Sequence, residues 1–191
     1  IIPKINSITS STANGSYTIG SAISINVNFS EPITLIGTMS VNLDSGGVAL
    51  ISAFTGTSAT GTYTVLAGHT SLDLTASSIT LNGTATDAVF NNLDLSLPII
   101  NIATASNIII DTTPPQISSI ISTTPNGAYP IGQLITVKIN FSEPITLIGT
   151  MDLNLDSGGL VVINSFSGTT ATGIYTVLAG QNSPDLSVTG V

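Results

Sequence analysis

Apolar and polar residues alternate along Ile23–Ser30, with Ile23, Ile25, Val27 and Phe29 on one face and Ser24, Asn26, Asn28 and Ser30 on the other. That period of two predicts a strand with one buried face. The pattern returns at Ile135, Val137, Ile139 and Phe141. A second strand is predicted over Met39–Leu43, where Met39, Val41 and Leu43 alternate with Ser40 and Asn42. It ends in Asp44-Ser45-Gly46-Gly47, turn chemistry suited to a hairpin. Strands near Val48–Phe54 and over Thr62–Leu66 follow, joined by the glycine-rich stretch Thr55–Gly61. Further strands are predicted over Leu72–Leu81 and Asn107–Ile110, and Asn14-Gly15, Asn82-Gly83 and Asn126-Gly127 read as turns.

The pattern recurs because the sequence does. Residues 3–79 align with residues 115–191 at a constant offset of 112 without a gap, and roughly 46 of the 77 pairs are identical. The block Asn28–Met39, NFSEPITLIGTM, returns unchanged as Asn140–Met151. Two units are therefore expected: a complete repeat over 1–112, and a second over 113–191 that lacks the counterpart of Thr80–Thr112, including the last strand. Each is long enough for its own core. Seven strands in about 110 residues, with frequent turn signals, predict an all-β chain of tandem immunoglobulin-like β-sandwiches joined by a short link containing Pro114-Pro115.

Composition narrows the function classes. Glu, Lys, Arg and Gln are scarce while Thr, Ser, Ile, Val, Gly and Asn dominate, which favours strands and turns over helices. Lys4 and Lys138 are the only two cations against ten acids, for a net charge of -8. No stripe of positive charge exists to neutralise phosphates, so nucleic acid is excluded. No apolar run reaches the roughly 18 residues of a spanning helix, and insertion of this segment into a membrane is not expected. The chain has no cysteine, hence no disulfide framework. No signal peptide is visible, because Ile1–Lys4 aligns with the inter-repeat segment Thr113–Gln116. Trp is absent, and Tyr17/Tyr129, Phe29/Phe141, Phe54/Phe166 and Tyr63/Tyr175 recur in both copies, mostly on inward strand faces. Phe90, in a loop before the last strand, is the exception.

Catalysis has little material. The acids shared by both copies are Glu31/Glu143, Asp44/Asp156 and Asp73/Asp185, and the sole histidine, His69, is replaced by Gln181. Glu31 and Asp44 are expected at opposite ends of a strand, on the order of 20 Å apart, whereas paired glycosidase carboxylates need roughly 5–9.5 Å. The chain reads as non-enzymatic, with no catalytic residue.

The succession Tyr17–Gly20 (YTIG), Phe29-Ser30-Glu31-Pro32, Tyr63–Gly68 (YTVLAG), Asp87–Asn92 (DAVFNN) and Ile110–Pro115 (IDTTPP) resembles the bacterial immunoglobulin-like tandem repeats of large surface adhesins. The resemblance implies an extracellular or cell-surface structural protein, a spacer or stalk that holds an adhesive domain away from the cell. It also implies that calcium stiffens the junctions between repeats in some relatives. In a sandwich of this topology Asp111 leaves the first repeat near Glu143 of the second, and the analogous site at the head of the first would use Glu31 and Asp87. Glu31, Asp87, Asp111 and Glu143 are thus the candidate calcium ligands. The structural alternative is that Asp111 ends a strand and Glu31 accepts hydrogen bonds in a turn. The expected partners are neighbouring repeats of the same chain. A second class is a filament or surface-layer subunit, in which the incomplete second repeat exposes an apolar groove and unpaired edges that a strand from another copy fills by strand exchange.

Overall fold

The computed structural model describes residues 1–191, and the chain divides into two compact units, Ile1–Thr113 and Pro114–Val191. Both are built on one long hairpin. In the first unit β3 (Ala22–Leu43) pairs antiparallel with β4 (Val48–Thr64), around a turn in which the Leu43 amide donates to the Gly47 carbonyl at 2.9 Å and Gly46 takes a φ of 85°. That left-handed position is why glycine stands there. The second unit repeats the device with β8 (Leu134–Leu155) and β9 (Leu160–Thr176).

Six strands form in the first unit, and expected neighbours run together. Ile23–Ser30 and Met39–Leu43 lie on one 22-residue strand, and the glycine-rich stretch Thr55–Gly61 is ordinary strand within β4. Two bulges bend the ribbon between its limbs: the register jumps from Asn28↔Ser58 to Ile33↔Gly56, and from Leu35↔Phe54 to Thr38↔Ser52. Such extra residues kink a strand and increase its twist. Pro32 sits in the larger bulge, where no ladder amide is required of it. Along β3 the odd-numbered side chains are buried on both sides of the bulges, from Ile23, Ile25 and Val27 to Met39, Val41 and Leu43, with Glu31 and Gly37 at the bulges as the exceptions. The two limbs thus feed a single core cluster.

Other strands close that core. β1 (Ile5–Ser10) pairs with the first limb of β3, and β5 (Ala76–Thr86) pairs with the second. At the bulge the Ser30 amide donates to the Lys4 carbonyl, and the Lys4 amide donates to the Ser30 hydroxyl, each at 2.9 Å. Ser142 and Gln116 make the same pair of bonds in the second unit. β2 (Gly15–Tyr17) and β6 (Ile108–Ile110) form a short parallel pair, and the only helix, α1 (Ile102–Ala105), precedes β6. The second unit contains β7 (Ile117–Ser122) against β8 and a three-residue β10 (Val188–Gly190) in the place where β5 begins.

Asn82-Gly83 lies inside β5 and not in a turn: Gly83 faces Gly37 across the ladder. The backbones approach so closely that a methyl group on Gly37 would strike the Asn82 carbonyl oxygen, and one on Gly83 the Ile36 carbonyl oxygen. Gly149, the equivalent of Gly37, has a φ of 95°, but a methyl group added to it would meet nothing within 4 Å. Gly149→Ala should therefore cost about 1 kcal/mol of backbone strain, while Gly37→Ala should add about 1–3 kcal/mol of overpacking. Urea denaturation of the two variants checks the difference, and equal losses would mean that the close approach is not rigid.

Candidate binding cleft

Five of the ten carboxylates, those of Asp44, Asp87, Asp94, Asp111 and Asp156, accept from backbone amides and hold their own chain in place. Asp44 accepts from the Thr75 amide at 2.9 Å and from the Ser71 hydroxyl at 2.8 Å, and Asp156 accepts from the Ser187 amide at 3.0 Å and the Ser183 hydroxyl at 2.8 Å. Each ties the hairpin turn to the segment that follows the second long strand. The Ser187 amide and then the Ser183 hydroxyl hold the Asp156 carboxyl below the usual carboxylate range, against the opposing pull of burial.

The four candidate calcium ligands fall as follows. Asp87 is buried, and its carboxylate accepts from the amides of Val89 and Asn91 and from the Asn91 side chain, at 2.7–2.9 Å. Burial would raise this carboxyl, but the Asn91 and Val89 bonds outweigh it, and its pKa lies below the ordinary value. The same bonds hold the loop tip, where Phe90 takes a φ of 66° and stands 85% exposed. Asp111 ends β6: its amide donates to the Tyr17 carbonyl at 3.0 Å, and its carboxylate accepts from the Thr113 amide at 2.9 Å. Glu31 lies in the β3 bulge and Glu143 in the matching bulge of β8. No three His, Asp or Glu side chains gather as a metal-holding group.

A small polar chain under each hairpin turn escaped the sequence reading. The Ser45 hydroxyl donates to the Tyr63 hydroxyl at 3.1 Å, and His69 Nδ1 accepts from Tyr63 at 3.0 Å and from the Leu66 amide at 3.3 Å. A backbone amide pointing at Nδ1 fixes that nitrogen as the acceptor. Burial raises the Tyr63 pKa; the Ser45 bond lowers it and the Asp44 charge raises it further. In the second unit Gln181 Oε1 accepts from Tyr175 at 2.8 Å and from the Leu178 amide at 2.9 Å. His69 and Gln181 thus share one structural task.

A wide concavity belongs to the second unit alone. It is a cleft of about 1200 Å³ with an apolar floor that includes Ile120, Ile135, Val137, Leu155 and Val177. One wall is Gly127–Tyr129 and the other Ser183–Leu186. Beside it, β8 pairs on one flank with β10 over only Leu155 and Asn154, so Leu147, Ile148 and Met151 have no strand beyond them. Ile148 is 90% exposed.

No family model matches the chain, and no curated protein matches it significantly. No helix is long and apolar enough to cross a membrane.

Two outcomes follow. Asp87, Asp94 and Asp156 all have folded-state pKa values below the ordinary one. The unfolded chain therefore takes up protons first as pH falls. The stability these groups contribute is complete above the normal carboxylate range, near about 4, and is lost as pH drops through that range and below it. Thermal melts between neutral and strongly acidic buffer should show Tm flat near neutrality and falling in acid. For the polar chain, His69→Gln should hold stability within about 0.5 kcal/mol, whereas His69→Ala, which strands the Tyr63 hydroxyl and the Leu66 amide, should cost about 1–3 kcal/mol in urea unfolding.

Proposed function

We propose that the chain is a non-catalytic spacer or stalk segment of an extracellular or cell-surface protein. It would be made of tandem immunoglobulin-like sandwich repeats like those of adhesins. The supporting observation is the duplicated use of the same side chains for scaffold. The Ser30/Ser142 clasp, the Asp44/Asp156 tie and the hydroxyl chain under each hairpin turn recur in both units. A repeat in which these recurring side chains bond its own backbone and one another is suited to bearing load and spacing. The Pro114-Pro115 link restricts the backbone torsions of the connecting segment, and calcium, which the resemblance to adhesin repeats implies for some relatives, would stiffen the array further.

A second reading is a filament or surface-layer subunit assembling by strand exchange or end-to-end contacts between copies.

Sedimentation velocity over a wide concentration range, in calcium and again in chelator, separates the readings. The spacer proposal expects a monomer at every concentration. Open-ended, concentration-dependent polymers would replace it with the filament. A sedimentation coefficient that ignores chelation would remove calcium from the proposal.

A further inference from the structure

His69 fastens the end of the first unit with both its ring and its backbone. The ring stacks on Tyr63 with centroids 5.6 Å apart, and its Nδ1 accepts from the Tyr63 hydroxyl at 3.0 Å and the Leu66 amide at 3.3 Å. The His69 amide donates back to the Leu66 carbonyl at 3.1 Å, which closes the loop. On the backbone side, the Thr112 hydroxyl donates to the His69 carbonyl at 3.0 Å and accepts from the Gly68 amide at 3.1 Å. Thr112 stands where the chain leaves β6 for Pro114-Pro115, and it makes its hydrogen bonds to this loop alone. The residues before it are held separately. The Asp111 amide donates to the Tyr17 carbonyl at 3.0 Å, and Ser71 and Ile110 exchange bonds of 2.8 and 2.9 Å.

The chemistry of the ring makes this clasp conditional. A neutral imidazole has one acceptor nitrogen, and here two donors share it. A second proton turns Nδ1 into a donor. The Tyr63 hydroxyl adapts, since it can accept from the ring and donate to the Ser45 hydroxyl, 3.1 Å away. The Leu66 amide cannot adapt, because two N–H groups then point at each other. The charged groups on the surrounding elements are acidic: Asp44 in the hairpin turn, whose charge acts on Tyr63, Asp73 in the segment after the loop, and Asp111 at the end of β6. The two lysines stand elsewhere, Lys4 beside Ser30 and Lys138 in the second unit. Histidine is the side chain that ordinarily changes charge between about pH 5 and 8. The second unit carries the loop in a form that cannot respond. Gln181 Oε1 accepts from Tyr175 at 2.8 Å and from the Leu178 amide at 2.9 Å, and a carboxamide is not a titrating group.

We propose that Leu66–His69 is a proton-operated latch on the link between the repeats. Protonation of His69 expels the Leu66 amide, opens the loop and releases Thr112, so that the fastened end of the first unit retreats to Asp111. The latch works alike in a spacer and in a filament subunit.

Amide hydrogen exchange and histidine ring shifts, followed by NMR on the full 191-residue chain from about pH 8 to pH 5, test the latch. After correction for the intrinsic exchange rate, protection of Leu66 and Gly68 should fall together by about tenfold, as expected for a lost hydrogen bond. The fall should share its midpoint with the His69 ring. Leu178 should stay flat over the same range, as should Leu66 and Gly68 in a His69→Gln chain. Thr112→Val should expose Gly68 at every pH and leave the response of Leu66 in place. A response that survives His69→Gln would belong to Asp44, Asp73 or Asp111 and would overturn the proposal. So would protection that holds through the ring titration, or a ring that takes up no second proton down to about pH 5. A Gly68 amide that stays protected while Leu66 opens would also overturn it, because the opening would stop short of Thr112.

Discussion

The bend of the long hairpin is the constraint on which each unit depends. A strand of 22 residues would project far beyond a core of this size if it ran straight, since each residue advances the chain by about 3.3 Å. The bulges at Phe29–Pro32 and Ile36–Gly37 fold it into two limbs while leaving the alternation of β3 in phase, so one face is inside on both sides of the bulges, from Ile23 to Leu43. The partner strand absorbs the mismatch. On β4 the inward positions run Ala49, Ile51, then Phe54, then Ala59 and Tyr63, slipping phase at each bulge, and β9 slips at the same places with Ile163, Phe166 and Ala171. Phe29 stacks on Phe54 at 5.7 Å, and Phe141 on Phe166 at 5.6 Å, at this bend. Aromatic pairs of this kind contribute beyond their buried area, so the bend is packed as well as hydrogen-bonded.

With the ribbon bent, β1 and β5 widen it at the edges of its two limbs. In the first unit Ile33, Leu35 and Met39 are buried where β5 extends the sheet and adds Ile79 and Ala85 to the core cluster, which also holds Leu93. Their counterparts Ile145, Leu147 and Met151 are only partly buried. The two units carry the same block NFSEPITLIGTM over this stretch. The difference in burial therefore arises from what packs against that block and not from the block itself.

Much of this was legible in the chain, and the failures have physical reasons. Period-two alternation located both limbs of β3, and Asp44–Gly47 located the turn, because a half-buried strand and a tight turn leave local marks. The continuity of β3 was not legible: Glu31-Pro32 reads as a break, yet a bulge tolerates proline and a charge without ending the strand. Asn82-Gly83 looked like a turn for a similar reason. Its glycine is required by the close approach of another backbone, and that demand comes from residues more than forty positions away. The helix α1 was missed because four residues carry no period. The Tyr63–His69 contact was missed because only the structure shows His69 and Gln181 presenting the same acceptor atom. The apolar groove was anticipated from the repeat, whereas its walls needed the structure.

The scarcity of charge gives the polar residues of this fold a particular character. With two lysines and ten acids in 191 residues, carboxylates have almost no opposite charge to pair with, and several turn instead to amides and hydroxyls a few residues away. Asp87, Asp94 and Asp111 each accept from an amide two positions on, the local bond that lets an aspartate shape a turn. Such bonds are short in sequence and do not depend on distant partners, so they stabilise loops at modest entropic cost. A chain organised this way can repeat itself and vary its surface freely, because what each repeat must conserve is the inward face of the ribbon and a few turn-forming oxygens.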